Sequence, residues 1–339
     1  MKRLTINEIA RISGVSRTTV SRVLNKSPLV HQETANTVNE VIDRLKYQPS
    51  ELARGLRSKE TKTIGVIVTN ILNPFFTSIV RGVEDVANRY NYNIIICNTD
   101  ESYEKETQYC NVLVSKHVDG LIIASTGKKY DPQDLTDGIP IVFIDRSPKG
   151  LENQFDTILV NNQEGSYQIV KHLLETGYRR IGLIGGFSQL STGYERLMGY
   201  RQAHKEYGIK IDENLIKSGD FLGHTSYRQA MEVILKSNCD AIYAMNNMIL
   251  HGVMKALKEL KVRVPLDIGL ATFDDLEWME HCGISITAVK QPAYEIGTMA
   301  MNMLLDRISG SVVEAKSVML DVVVNIREST QRKNGENVN

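Results

Sequence analysis

Residues 5–25, TINEIARISGVSRTTVSRVLN, read as two short helices bent around one glycine. Ile6, Ile9, Ala10 and Ile12 fall on one face at helical spacing, with Thr5 as N-cap and Glu8 three residues on as its capping-box partner. Gly14 supplies the left-handed turn after the first helix, and Val15 plugs the corner. Ser16 then caps a second helix whose buried side is Val20, Val23 and Leu24. Its other side shows Ser16, Arg17, Thr18, Ser21, Arg22 and Asn25, with no acid between Ser16 and Glu33. A recognition helix needs this chemistry: guanidinium groups suit guanine edges and phosphates, and short hydroxyls let the helix approach the bases. The stretch therefore predicts a helix-turn-helix rather than an ordinary solvated helix pair.

Beyond it, Pro28 breaks a loop, and a third helix is expected from about residue 32 to 45 on the stripe Ala35, Val38, Val41, Ile42 and Leu45. Tyr47 and Gln48 precede Pro49, which ends this headpiece because the residue before a proline resists helix. Residues 50–59, SELARGLRSK, form a linker by position yet carry a helical pattern through Leu52, Ala53 and Leu56. A helix that short is not stable alone, and Gly55 adds roughly 1 kcal/mol to the cost of forming it.

From residue 63 the texture changes to β/α alternation. The runs at 63–69 (TIGVIVT), 93–98 (NIIICN), 120–124 (GLIIA) and 141–145 (IVFID) are of buried parallel-strand type. They recur at 180–185 (RIGLIG), 241–245 (AIYAM) and 268–273 (IGLATF). A further strand at 318–326 is expected to return to one sheet. TIGVIV and RIGLIG start 117 residues apart, and DGLIIAS and DAIYAMN 121 apart, which predicts two similar doubly wound parallel-sheet lobes. The expected domains are a headpiece at 1–48, a hinge at 49–60, a two-lobed α/β body at 61–330 for effector binding and dimerisation, and a polar tail at 331–339.

Hydrophobic content of 42% and charged content of 24% fit a globular chain with ample core rather than a disordered or membrane protein. The net charge of zero hides an asymmetry: residues 1–60 hold 11 Lys/Arg against 6 Asp/Glu, leaving 29 against 34 in the rest. A basic head on an acidic body suits a protein that places one end on nucleic acid. No apolar leader opens the sequence and no stretch approaches a membrane span, so a cytoplasmic protein is expected. Cys97, Cys110, Cys239 and Cys282 are scattered, with no metal-ligand spacing.

Ala10, GVS at 14–16, TVSRV at 19–23 and Asn25 resemble the head of the lactose-repressor (LacI/GalR) family. The body resembles the periplasmic-binding-protein-like core of the same family, from about residue 60 to 330. Its landmarks are NPFF at 73–76, VDG at 118–120, FIDR at 143–146, GLIGG at 182–186, ER at 195–196, FDD at 273–275 and KQP at 290–292. The resemblance implies a transcriptional regulator that binds a palindromic double-stranded DNA operator as a homodimer. It further implies that the hinge forms a helix on DNA, where Leu56 wedges the minor groove with Ala53 and Arg54 alongside. Together with Thr5, Ser16, Arg17, Thr18, Ser21, Arg22, Asn25 and Tyr47, these are the candidate DNA contacts.

Ligands of open α/β sheets bind beyond the strand C-termini. That rule places Asn73, Phe75, Ser125, Asp145 and Arg146 of the first lobe, and Arg196, Phe221, Asn246, Asp274 and Trp278 of the second, around a cleft, with Gln291 at the pocket or the hinge. Arg196 and Asp274 also match effector-contacting positions of the family. Arginines suit a carboxylate or phosphate, acids and Asn246 suit hydroxyls, and Trp278 offers a stacking face. The expected effector is a small sugar, with a sugar acid slightly ahead of a neutral sugar and a purine less favoured. GLIGG lacks the spacing of a dinucleotide fingerprint, and no catalytic constellation or cofactor site stands out, so an enzyme is not expected. Control by a partner protein is the alternative, and a transporter's solute receptor, which the body alone would permit, is disfavoured by the basic head.

Overall fold

The computed structural model describes residues 4–24, 27–47, 60–128, 138–151, 154–186, 190–311 and 314–332. The chain divides into two compact units, Met1–Thr61 and Lys62–Asn339.

The first unit contains three helices among its described residues: α1 (Ile6–Ile12), α2 (Arg17–Leu24) and α3 (Gln32–Leu45). The capping box forms as the sequence requires, with Thr5 N–H donating to Glu8 Oε2 at 2.6 Å and Glu8 N–H donating to Thr5 Oγ1 at 3.3 Å. Gly14 adopts φ 67° at the turn, and Ser16 Oγ accepts from Thr19 N–H at 3.1 Å to start α2. Ile9, Ala10, Val20, Val23, Val38, Val41 and Tyr47 close a core of their own, with Val15 and Leu24 packed on its margin.

The second unit holds two six-stranded sheets. In the first lobe the order is β11-β5-β4-β3-β1-β2, and in the second β12-β10-β9-β8-β6-β7. The strands are β1 (Thr63–Val68), β2 (Asn93–Asn98), β3 (Gly120–Ile123), β4 (Ile141–Ile144), β5 (Asp156–Val160), β6 (Ile181–Gly185), β7 (Ile216–Ser218), β8 (Ala241–Ala244), β9 (Gly269–Phe273), β10 (Thr287–Lys290), β11 (Ser317–Leu320) and β12 (Val323–Asn325). Within each lobe the five leading strands follow the same 2-1-3-4-5 order, so the internal repeat legible in the sequence is a repeat of topology. All pairings are parallel except β10 with β12.

The expected single strand at 318–326 is instead two. β11 pairs parallel to β5 in the first lobe, and β12 antiparallel to β10 in the second. The break falls at Asp321-Val322, where the chain crosses between lobes and Val322 packs against both cores. Two other crossings exist. The chain leaves β5 for α6 (Asn162–Glu175) in the second lobe, and leaves β10 through Gln291-Pro292 for α11 (Ala293–Ile308) in the first.

Helices α4 (Pro74–Arg89) and α11 cover one face of the first sheet, while α5 (Tyr103–Ser115) covers the other through Cys110 and Leu113. In the second lobe α6 packs on α7 (Ser191–Glu206), and α8 (Ser226–Lys236) on α9 (Asn247–Glu259). The α4–α11 contact is backbone on backbone: a Cβ on Gly297 would stand 2.0 Å from the carbonyl oxygen of Ile79. Gly297→Ala must push the helices apart at a cost of about 1–3 kcal/mol, and thermal unfolding should register it as a midpoint lower by several degrees. Gly283→Ala is the control, because nothing lies within 4 Å of its added methyl. Equal midpoints for the two variants would sink this account of the helix pair.

Candidate DNA-contact face and effector cleft

On the head, Ser16, Arg17, Thr18 and Arg22 are exposed and Ser21 is half-buried, so α2 presents one continuous basic and hydroxylic face. Thr5 is also exposed, with its hydroxyl and amide both engaged by Glu8. Tyr47 is placed differently: it is 9% exposed and completes the head's core. Asn25, Ala53, Arg54 and Leu56 lie outside the described residues.

In the body, the ends of β1, β2, β4, β8, β9 and β10 converge on a small cavity of about 30 Å³. Nine of the eleven expected residues line it: Asn73, Phe75, Asp145, Arg146, Arg196, Phe221, Asn246, Asp274 and Gln291. Thr69, Asn70, Phe76, Glu101, Thr192 and Leu222 line it too and were not expected.

Asp145 and Asp274 follow β4 and β9, the same place in the two repeats, and both adopt left-handed backbone, at φ 64° and 69°. Aspartate tolerates that conformation better than most residues, and the bend turns each carboxylate into the seam between lobes. Burial pushes both carboxyls above their usual range, against the opposing pull of Arg146 and Arg196 on Asp145, and of Arg196 and the Gln291 side-chain bond on Asp274.

Arg146 is fully engaged. It donates to both oxygens of Glu101 at 2.7 and 3.0 Å, to Asp145 at 3.2 Å and to Thr69 Oγ1 at 3.4 Å. Burial opposes its charge, but Glu101 and Asp145 together outweigh that cost and its pKa is raised. Glu101 reaches it from a turn just after β2, in which Asp100 and Glu101 take φ 51° and 60°.

Arg196 rises from the first turns of α7. Its Nε donates to Asn162 Oδ1 at 2.9 Å and its Nη1 to the Met245 carbonyl at 2.6 Å. The guanidinium lies 3.7 Å from the Phe273 ring centroid and 5.8 Å from that of Phe221. Asn246 caps α9 through Ile249 N–H at 2.8 Å and donates to the Phe221 carbonyl at 2.9 Å. Gln291 Nε2 donates to Asp274 Oδ1 at 2.5 Å. Across the seam, Asn247 Nδ2 donates to Asn73 Oδ1 at 2.8 Å.

Two expected residues stand elsewhere. Ser125 is buried behind the lining, donating to Glu106 Oε1 at 3.2 Å while Thr126 N–H takes Oε2 at 2.6 Å. Trp278 opens the short helix α10 (Trp278–His281) and is 44% exposed. It lines a separate surface recess with Pro74, Leu276, Glu277 and His281. The aromatic surfaces at the cavity are therefore Phe75, Phe76 and Phe221. Asp275, beside Asp274, is committed to structure through a two-pronged pair with Arg327 at 2.8 Å on each oxygen. Among the described residues no group of acids, histidines and cysteines is arranged to hold a metal ion, and no helix is long and apolar enough to cross a membrane.

A basic helix-turn-helix head and a two-lobed α/β body with a polar seam define a class: DNA-binding proteins that carry a small-molecule receptor. The family described as "Bacterial regulatory proteins, lacI family" matches residues 5–50, and a periplasmic binding protein-like domain matches residues 170–330. The HTH-type transcriptional repressor PurR of Vibrio atlanticus (strain LGP32) is 36% identical over 308 residues, which cover 90% of this chain and 92% of that protein. Among solved structures, a transcriptional regulator CelR–cellobiose complex is 30% identical, with a TM-score of 0.72 over 96% of this chain and 100% of that one. The lac repressor dimer bound to operator and the anti-inducer ONPF has the same fold, with a TM-score of 0.83 at 24% identity over 97% of this chain and 99% of that one. The chain belongs to the lacI family of bacterial transcriptional regulators. It is a DNA-binding regulator and not an enzyme.

Proposed function

We propose that this protein is a cytoplasmic repressor that binds a near-palindromic operator as a homodimer and is controlled by a neutral, polyhydroxylated sugar. Residues 1–48 serve as the DNA-reading head, 49–60 as the hinge, and 61–330 as the receptor and dimerisation body, followed by the tail at 331–339. In this reading Leu56, flanked by Ala53 and Arg54, kinks the operator centre from the minor groove. One three-helix head offers few base contacts, and two-fold symmetry doubles them at a fixed half-site spacing.

The pairing of Arg146 carries the choice of effector. Glu101 and Asp145 already occupy its fork, and the cavity lining holds Arg146 and Arg196 against Glu101, Asp145 and Asp274. An incoming carboxylate meets no free cation at Arg146 and an excess of acids, so the sugar acid loses its slight lead to the neutral sugar. Hydroxyls suit the remaining donors and acceptors. The family relative with bound cellobiose supports a sugar as the class. The cavity of about 30 Å³ holds little more than a water, so binding requires the lobes to part before they close on the ligand.

Calorimetry of the full chain against matched neutral and acid pairs (glucose and gluconate, galactose and galactonate, cellobiose and cellobionate) is the test. Heat is expected from a neutral member, with its acid partner at least about tenfold weaker, the equivalent of one lost charge-compatible contact. Tighter binding of the acid member would overturn the assignment.

A further inference from the structure

We propose that Asn247 is a latch that holds the second lobe closed on the first, and that the effector cleft opens by breaking its single side-chain bond to Asn73. The latch acts whatever the cleft binds, so it stands or falls apart from the choice of a sugar.

The bond joins residues 174 apart in the chain, and each partner is 5% exposed. Asn73 is the N-cap of α4, and its Oδ1 also accepts from Phe75 N–H at 3.0 Å. The oxygen that starts the first lobe's helix is thus the one gripped by the second lobe. On the other side, Asn247 directly follows Asn246, the N-cap of α9, and Asp274 accepts from Gln291 at the crossing between lobes. The latch bond from Asn247 to Asn73 and the hinge bond from Gln291 to Asp274 thus flank one cavity, which Asn73, Asn246, Asp274 and Gln291 all line. Parting the lobes must break the latch, because its two partners belong to opposite lobes.

The closed seam is also incompletely satisfied. Asn247 Oδ1 and Gln291 Oε1 are both buried without a hydrogen-bond partner. A buried acceptor left bare opposes the gain from the bonds around it. The grip of the latch is offset by its own second atom, which keeps closure reversible. Gln291 lines the cavity, so a ligand hydroxyl that donates to its free oxygen would favour closure.

Two substitutions in the full-length chain break the bond from opposite sides. Asn247→Asp is isosteric, suits the first turn of α9, and sets an oxygen against Asn73 Oδ1. Asn73→Ser keeps a good helix cap and is too short to reach Asn247. Hydrogen exchange is followed in segments 73–77 and 246–250, and acrylamide quenching reports on Trp278, the single tryptophan, which shares its recess with Pro74 of the opposite lobe. Each variant is expected to speed exchange at both segments by about tenfold, the effect of one buried hydrogen bond, and to raise Trp278 quenching. Strands β4 and β8 should keep wild-type protection. Unchanged exchange at the seam overturns the proposal, as does opening in only one variant, since the bond needs both partners. Acceleration spread evenly through β4 and β8 also overturns it, by assigning the bond to overall stability.

Discussion

Arg17→Ala is expected to weaken binding to a selected operator by about 10- to 100-fold while leaving binding to random DNA nearly unchanged, the cost of one two-pronged base contact. Arg17 is the first residue of α2 and is exposed, where the recognition helix points its N-terminal end at base edges. Arg22 lies in the last turn of the same helix, and in the proposed reading it meets phosphate. Arg22→Ala should lower affinity for every sequence and reduce the salt dependence by about one released counterion. Fluorescence anisotropy across a salt series separates the two behaviours. The face is misassigned if both variants lose the same factor on specific and random DNA, or if a chain beginning at residue 60 binds the operator like the whole protein.

Arg196→Ala should abolish effector binding, by about 100-fold or more, and lower thermal stability as well. The guanidinium is 4% exposed and ties α7 to α6, to the end of β8 and to the Phe273 ring. Removing it leaves Asn162 Oδ1 and the Met245 carbonyl without that donor, and each such loss costs about 1–3 kcal/mol. Arg196→Lys is not expected to rescue, because an ammonium cannot serve two divergent acceptors while stacking flat on a ring. Calorimetry with the sugar that binds wild type, read beside a melting curve, checks both effects. Wild-type affinity in Arg196→Ala would remove this residue from the site.

Much of the site was legible because strand ends can be located from apolar runs, and the ends of parallel strands converge. Asp145 and Asp274 follow runs ending in Phe-Ile and Thr-Phe, and both reached the cavity. Glu101 was missed although the same rule applied to β2. Its arrival depends on two consecutive left-handed residues, Asp100 and Glu101, and such a turn leaves no periodicity to read. Trp278 shows the opposite failure. It lies four residues beyond Asp274, where the chain has already turned into a short helix that Trp278 opens with its ring 44% exposed. The strand expected at 318–326 was misjudged for a related reason: its apolar residues suit either sheet, and only the crossing at Asp321-Val322 assigns half to each.

That crossing also sets the order of events during synthesis. β11 and β12 supply an edge strand to each lobe, and α11 covers the first sheet from a position late in the chain. The amino-terminal head has its own core and can close as soon as it leaves the ribosome, since domains generally fold as units during translation. The receptor cannot. Both sheets await residues 317–325, so a ribosome stalled a few dozen codons short releases a finished DNA-reading head on an unfinished body. Such a product lacks the folded body through which two heads are proposed to pair, and the exposed apolar edges of its two incomplete sheets would mark it for proteolysis.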